Sequence, residues 1–160
     1  MVEFEEISEN AKLWVFPSSR KFYPQEIEGL KNAIEKFLKN WKNGQETLKV
    51  SYELRYNRFI LIAVDNSEIT LSLESHDALI SLIQQLEDNY QVLLLDKINV
   101  CYKQGEFVQY KDLKEFKKLI KSRGVSSKTI VFDNMIGLKK DLEFDWEINI
   151  MDSWLGRFIK

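Results

Sequence analysis

Two short polar clusters carry the most evident chemistry in this chain. Ser18-Ser19-Arg20 follows the apolar run Leu13-Trp14-Val15-Phe16-Pro17, and Arg55, Asn57 and Arg58 surround a turn further along. Guanidinium groups present planar donor forks that match oxyanions, and hydroxyls and an amide add neutral donors. Brought together, Ser18, Ser19, Arg20, Arg55, Asn57 and Arg58 would make a pocket for a small anion. A hydrolase of phosphates or acyl phosphates built on them would hold the anion on Arg20 and position water with Asn57, with Arg55 and Arg58 assisting. No general base accompanies the cluster. Kept apart, the same arginines would pair with Glu26 or other acids at the surface, for under about 1 kcal/mol each.

The other chemistry-bearing residues read more simply. The single His76 stands beside Asp77, but neighbours on a helix point in different directions, and Ser75 reads as the helix N-cap. Trp14 and Phe16, two apart on a strand, share a face as base-stacking aromatics do, and this is the basis of an RNA-binding alternative. The strand that would complete such a surface lacks basic and aromatic interleaving, so core packing beneath the C-terminal extension is the expectation. Lys114, Lys117, Lys118, Lys121 and Arg123 form one basic helix face opposite Leu113, Phe116, Leu119 and Ile120, which reads as a solvated face. Asp152, Trp154 and Arg157 combine a cap, an aromatic anchor and a cation, a docking element expected to pack on the chain's own body. One cysteine and one histidine exclude a Cys/His zinc site, and no metal or cofactor is expected.

These residues need a framework, and periodicity supplies it. Leu13 to Phe16 reads as a strand buried on both faces. Ile27, Leu30, Ile34, Phe37, Leu38 and Trp41 repeat at helical spacing after Pro24 until Asn43-Gly44. Leu48, Val50, Tyr52, Leu54 and Tyr56 alternate with polar residues as an edge strand does. A tight turn at Asn57 leads into Phe59 to Val64, apolar on both faces. A second helix from Ser75 buries Leu79, Leu82, Ile83 and Leu86, and a fourth strand runs around Ile98, Val100 and Tyr102.

This order across residues 12 to 103 predicts an α+β fold: a ferredoxin-like βαββαβ antiparallel sheet with helices on one face. Residues 104 to 160 form a C-terminal αβ extension docked on it, and residues 1 to 160 make one domain. The extension is expected to hold a strand at Phe107 to Tyr110 and a helix capped by Asp112 and ended by Gly124. A strand at Thr129 to Phe132, a short helix near Leu138 to Leu142 and a last helix capped by Asp152 complete it. The aromatics Phe132, Phe144, Trp146, Trp154 and Phe158 are expected to be docked, since exposed rings cost free energy.

Composition narrows the classes further. Gly and Pro total 8 of 160 residues, too few for collagen-like or low-complexity chains, and 44% hydrophobic residues exclude a disordered one. A net charge of -2 gives no general pull towards nucleic acid. An acidic N-terminus, no apolar stretch long enough to span a membrane and a lone Cys101 predict a soluble cytoplasmic protein.

Four segments carry a family resemblance: Leu13-Trp14-Val15-Phe16-Pro17-Ser18-Ser19-Arg20, Arg55-Tyr56-Asn57-Arg58-Phe59, Val131-Phe132-Asp133-Asn134 and Asp152-Ser153-Trp154-Leu155-Gly156-Arg157-Phe158. With them the chain resembles, almost end to end, a family of small bacterial proteins commonly labelled "ABC transporter ATPase". None of the four is a catalytic motif, so the resemblance implies kinship and no chemistry. Relatives carry Gly-Cys-Ser-Ile-Asp before the second helix, where this chain has Leu73-Glu74-Ser75-His76-Asp77. The label itself would require a Gly-x-x-x-x-Gly-Lys phosphate loop, which the glycines at 29, 44, 105, 124, 137 and 156 do not form. Val92 to Asp96 looks like an apolar strand ending in a magnesium-binding Asp, yet Lys97 follows where a catalytic Glu would stand. The expected function is therefore non-catalytic binding of a small anionic ligand or a protein partner.

Overall fold

The computed structural model describes residues 1–65 and 70–159. Its first sheet contains β1 (Lys12–Pro17), β4 (Lys49–Arg55) and β5 (Phe59–Asp65) in the order β1-β5-β4, every pairing antiparallel. A small hairpin of β2 (Lys42–Asn43) and β3 (Glu46–Thr47) precedes β4, turning on Gly44 at φ 65°. β5 is central because both its faces are apolar: Phe59 to Val64 are all buried. Alternation then assigns the faces. Trp14, Phe16, Ile60, Ile62 and Val64 meet α1 (Pro24–Asn40) and α2 (Leu73–Tyr90) through Leu30, Ile34, Leu38, Leu79, Ile83 and Leu86. Leu13, Val15, Phe59, Leu61 and Ala63 face the other way.

On that second face lies another sheet, ordered β7-β6-β8-β9, from β6 (Val100–Gln104), β7 (Phe107–Lys111), β8 (Ile130–Phe132) and β9 (Glu147–Asn149). Cys101, Phe132 and Trp146 fill the space between the sheets. The outer face, Val100, Tyr102 and Val131, is covered by Phe116 of α3 (Leu113–Lys121) and by Ile150 and Leu155 of the C-terminal 3-10 turns. α4 (Asp141–Phe144) is a single turn between β8 and β9. The molecule is thus layered helices, sheet, sheet, helix, and the fold is α+β. Among the described residues no helix is long and apolar enough to cross a membrane.

The expected ferredoxin-like order is not formed among the described residues. It requires the strand after α2 to lie beside β1. The expected fourth strand forms as β6 but belongs to the other sheet, and the separately expected strand at Val92 to Asp96 is not formed: Glu87 Oε2 accepts the N–H groups of Leu94 and Leu95 at 2.7 and 3.1 Å, so they join no ladder. The free edge of β1 is met by the loop before α4, with Leu13 N–H on the Gly137 carbonyl and Lys139 N–H on that of Ala11. β6 pairs with β7 and β8 because it is apolar on both faces, Cys101 towards one core and Val100 and Tyr102 towards the other. Its partners all come from beyond residue 104, so the tail supplies most of a second sheet.

Smaller corrections have local causes. α2 starts at Leu73 and is capped by Ser72, whose Oγ accepts from Ser75 N–H at 3.1 Å; Ser75 is buried and donates its own hydroxyl to the Lys42 carbonyl. The last element is a 3-10 helix, Trp154–Phe158, capped by Ser153 in place of Asp152. Trp14 and Phe16 lie beneath α1 and α2, on the face away from the extension. Among the C-terminal aromatics Trp146 and Phe132 are buried, but Phe144 and Trp154 are exposed; in the C-terminal turns Leu155 and Ile150 take the inward positions in place of Trp154.

Candidate functional site

The loop after β1 and the hairpin between β4 and β5 meet at one rim. Ser18 N–H donates to the Arg58 carbonyl at 3.0 Å, and Phe22 N–H donates to that of Asn57 at 2.8 Å. The hairpin closes through Arg58 N–H on the Arg55 carbonyl, with Tyr56 and Asn57 at φ 56° and 49°. Two consecutive left-handed residues fit the strand twist but disfavour a bulky side chain. Tyr56 is held there by ring contacts with Phe59, Phe132 and Trp146, while its hydroxyl donates to Glu147 Oε2 at 2.8 Å. Burial first, and then Glu147, push the Tyr56 phenol up.

At this rim the arginines divide. Arg20 donates to both oxygens of Glu26 at 2.9 and 3.1 Å, to the Tyr90 carbonyl at 2.6 Å and to that of Lys21 at 3.1 Å, and lies 4.3 Å from the Tyr23 ring centroid. Its hydrogen bond to Glu26 raises the Arg20 pKa, and the same bond holds the Glu26 carboxyl below its ordinary value. Glu26 also accepts from Tyr23 N–H at 2.7 Å, so the N-terminus of α1 is closed by the chain's own carboxylate. Arg55 pairs with Glu53 at 3.2 Å and lies 5.7 Å from the Trp146 ring centroid. Ser18 is fully buried, and Ser19 Oγ accepts from Leu93 N–H at 2.9 Å.

Arg58 is different. Its Nη1 is buried and has no hydrogen-bond partner among the described residues. Desolvation pushes its pKa down, with the Cys101 and Tyr110 side chains close enough to act on it electrostatically. Beside it is a cavity of about 190 Å³, lined by Lys21, Tyr56, Asn57, Arg58 and, from the neighbouring β6–β7 hairpin, Glu106 to Val108. Arg58 and Asn57 are among the residues singled out from the sequence, and Lys21 and Glu106 are not. Gln104-Gly105 does signal that second turn, with Gly105 at φ 62°, but only the stacking of the two sheets brings it to this rim.

The remaining candidates are placed elsewhere. His76 packs 6.2 Å from the Trp14 ring and neither it nor Asp77 caps the helix. Trp14 and Phe16 are buried, and Tyr52 donates to Glu35 Oε2, so the face proposed for base stacking is covered. The carboxylate of Asp96 is taken up by the Ile98 and Asn99 N–H groups and by Asn99 Nδ2. Asp152 and Trp154 are exposed, and Arg157 donates Nε to the Trp154 carbonyl at 3.0 Å. Among the described residues no group of acids, cysteines and histidines could hold a metal ion. No protein-family model, curated protein or solved structure matches this chain.

Proposed function

We propose that this chain is a non-catalytic binding protein that takes a small oxyanion, of phosphate size, at the rim between the two hairpins. The observation that carries the reading is Arg58 itself: it lines a cavity together with Lys21 and Asn57, and its buried Nη1 has no hydrogen-bond partner among the described residues. A buried donor without an acceptor costs about 1–3 kcal/mol, and more when it is charged. An anion entering the cavity supplies the guanidinium's missing countercharge, which water does only in part. The anion holder is thus Arg58 in place of Arg20, whose donors Glu26 and Tyr90 already occupy. The hydrolase alternative loses its principal residue by the same fact. We place the protein in the cytoplasm, where a single buried thiol needs no partner. The kinship proposed from the four sequence segments carries no ATPase activity with it.

Thermal unfolding in phosphate against chloride at matched ionic strength tests this. Phosphate at 100 times its dissociation constant should add about 2.7 kcal/mol of stability. Arg58→Met should lose that increment and Arg20→Lys should keep it. Identical unfolding of the native chain in the two salts would sink the proposal.

A further inference from the structure

A second cleft lies between the start of β6, the end of β8 and the C-terminal turns, with a volume of about 220 Å³. Its floor is apolar: Val100, Val131 and Leu155 are buried. Its mouth is unusual, because Ile98, Met135 and Trp154 stand 66%, 72% and 47% exposed around it. Exposed apolar side chains gathered at one opening mark an interaction surface, and Trp and Met are enriched at interface centres. Trp154 and Asp152 were expected to dock on the chain's own body. Leu155, Ile150 and Phe158 do that, which leaves Trp154 facing solvent.

The charge at this mouth has a sign. Asp133 and Asp152 both line the cleft. Asp133 Oδ1 accepts from Met135 N–H at 3.0 Å, and no hydrogen bond to the Asp152 carboxylate is formed among the described residues. Lys97 also lines the cleft, but its Nζ stands 5.3 Å from the Phe16 ring, which carries it towards the first sheet. Two carboxylates beside an exposed indole recognise a cation, the carboxylates by charge and the ring by its electron-rich face.

We propose that this cleft docks a segment of a partner protein that presents an arginine or lysine flanked by apolar side chains. The basic side chain enters between Asp133 and Asp152 and lies on Trp154, and its apolar neighbours cover Ile98 and Met135. A free cation would fill the cleft but leave those two side chains in water, which is why the occupant is a peptide. The cleft has room for one side chain, so recognition is by a single anchor. The proposal does not rest on the anion site at Arg58.

The probe is a capped peptide, acetyl-Ser-Leu-Arg-Leu-Ser-amide, titrated into the full chain and followed by tryptophan fluorescence. Trp154 reports alone at the surface, since Trp14, Trp41 and Trp146 are 9%, 4% and 0% exposed. Saturable binding is expected that weakens with salt. Asp133→Asn and Asp152→Asn should each weaken it by about threefold, the effect of one partly exposed charge pair, with the far-ultraviolet circular dichroism unchanged. Calorimetry should show Trp154→Ala weakening it as well. Equal binding of the citrulline peptide, equal binding of arginine amide alone, or no saturation at millimolar peptide would each overturn the proposal.

Discussion

Arg20 grips Glu26 with two parallel N–H···O bonds of 2.9 and 3.1 Å, and its guanidinium also reaches the carbonyl of Tyr90 at 2.6 Å. One side chain therefore ties the loop after β1 to the first turn of α1 and the last residue of α2. A cation used this way is structural, in contrast to Arg58, whose buried Nη1 has no hydrogen-bond partner among the described residues.

Replacing Arg20 with Met should destabilise the fold by about 1 kcal/mol, the value of a charge-assisted pair discounted for partial exposure, and should leave phosphate binding intact. Denaturant unfolding with and without phosphate measures both. The pair also gives a pH dependence. Glu26 has its folded pKa depressed by Arg20, so its contribution is present above its unfolded pKa and is lost as pH falls through the lower folded value. The stability difference between native and Glu26→Gln chains should therefore shrink below about pH 4.

Glu106 brings a carboxylate to the cavity that Arg58 lines. Glu106→Gln should tighten phosphate binding by a few-fold, consistent with removal of one exposed like charge, with no change in the unfolding midpoint in chloride. Weaker binding in the variant would mean that Glu106 orients a ligand donor and that the occupant is not a simple anion.

Lys139 is 7% exposed and donates Nζ to the carbonyls of Phe4 and Ile7 at 2.7 and 2.8 Å, with Glu9 at 3.3 Å. It holds the N-terminal turn against the second core. Lys139→Met should cost about 1–3 kcal/mol through the carbonyls left unpaired. Hydrogen exchange should quicken at residues 4–11 before it does at β5.

Cys101 has its thiol pushed up to about 12 by burial. It should resist iodoacetamide at pH 8 in the folded chain and react readily in urea. Its folded pKa is raised, so its contribution to stability is complete below the unfolded thiol value and is lost as pH rises towards 12. Native-state labelling as fast as that in urea would show that the space between the sheets opens.

Local chemistry was legible from the chain alone wherever a period or a turn residue decided it. Pro24 with the stripe Leu30, Ile34 and Leu38 specifies α1, and the two-faced run Phe59 to Val64 specifies a central strand. The arrangement β1-β5-β4 follows, and with it the meeting of Ser18 with Arg58. What periodicity does not encode is which surface an apolar face will cover. Cys101, Val100 and Tyr102 make β6 apolar on both sides, which is compatible with the edge of one sheet or the middle of another. Only the packing of Phe132 and Trp146 against Phe59 decides for the second sheet. The arginines divide in the same way: Arg20 and Arg55 meet acids 6 and 2 residues away, pairings that local sequence offers, whereas the Arg20 contact with the Tyr90 carbonyl and the burial of Arg58 Nη1 without a partner among the described residues are tertiary. Which of several nearby acids a guanidinium meets depends on distances in space, and for that reason the contrast between Arg58 and the other two arginines emerged only from the folded molecule.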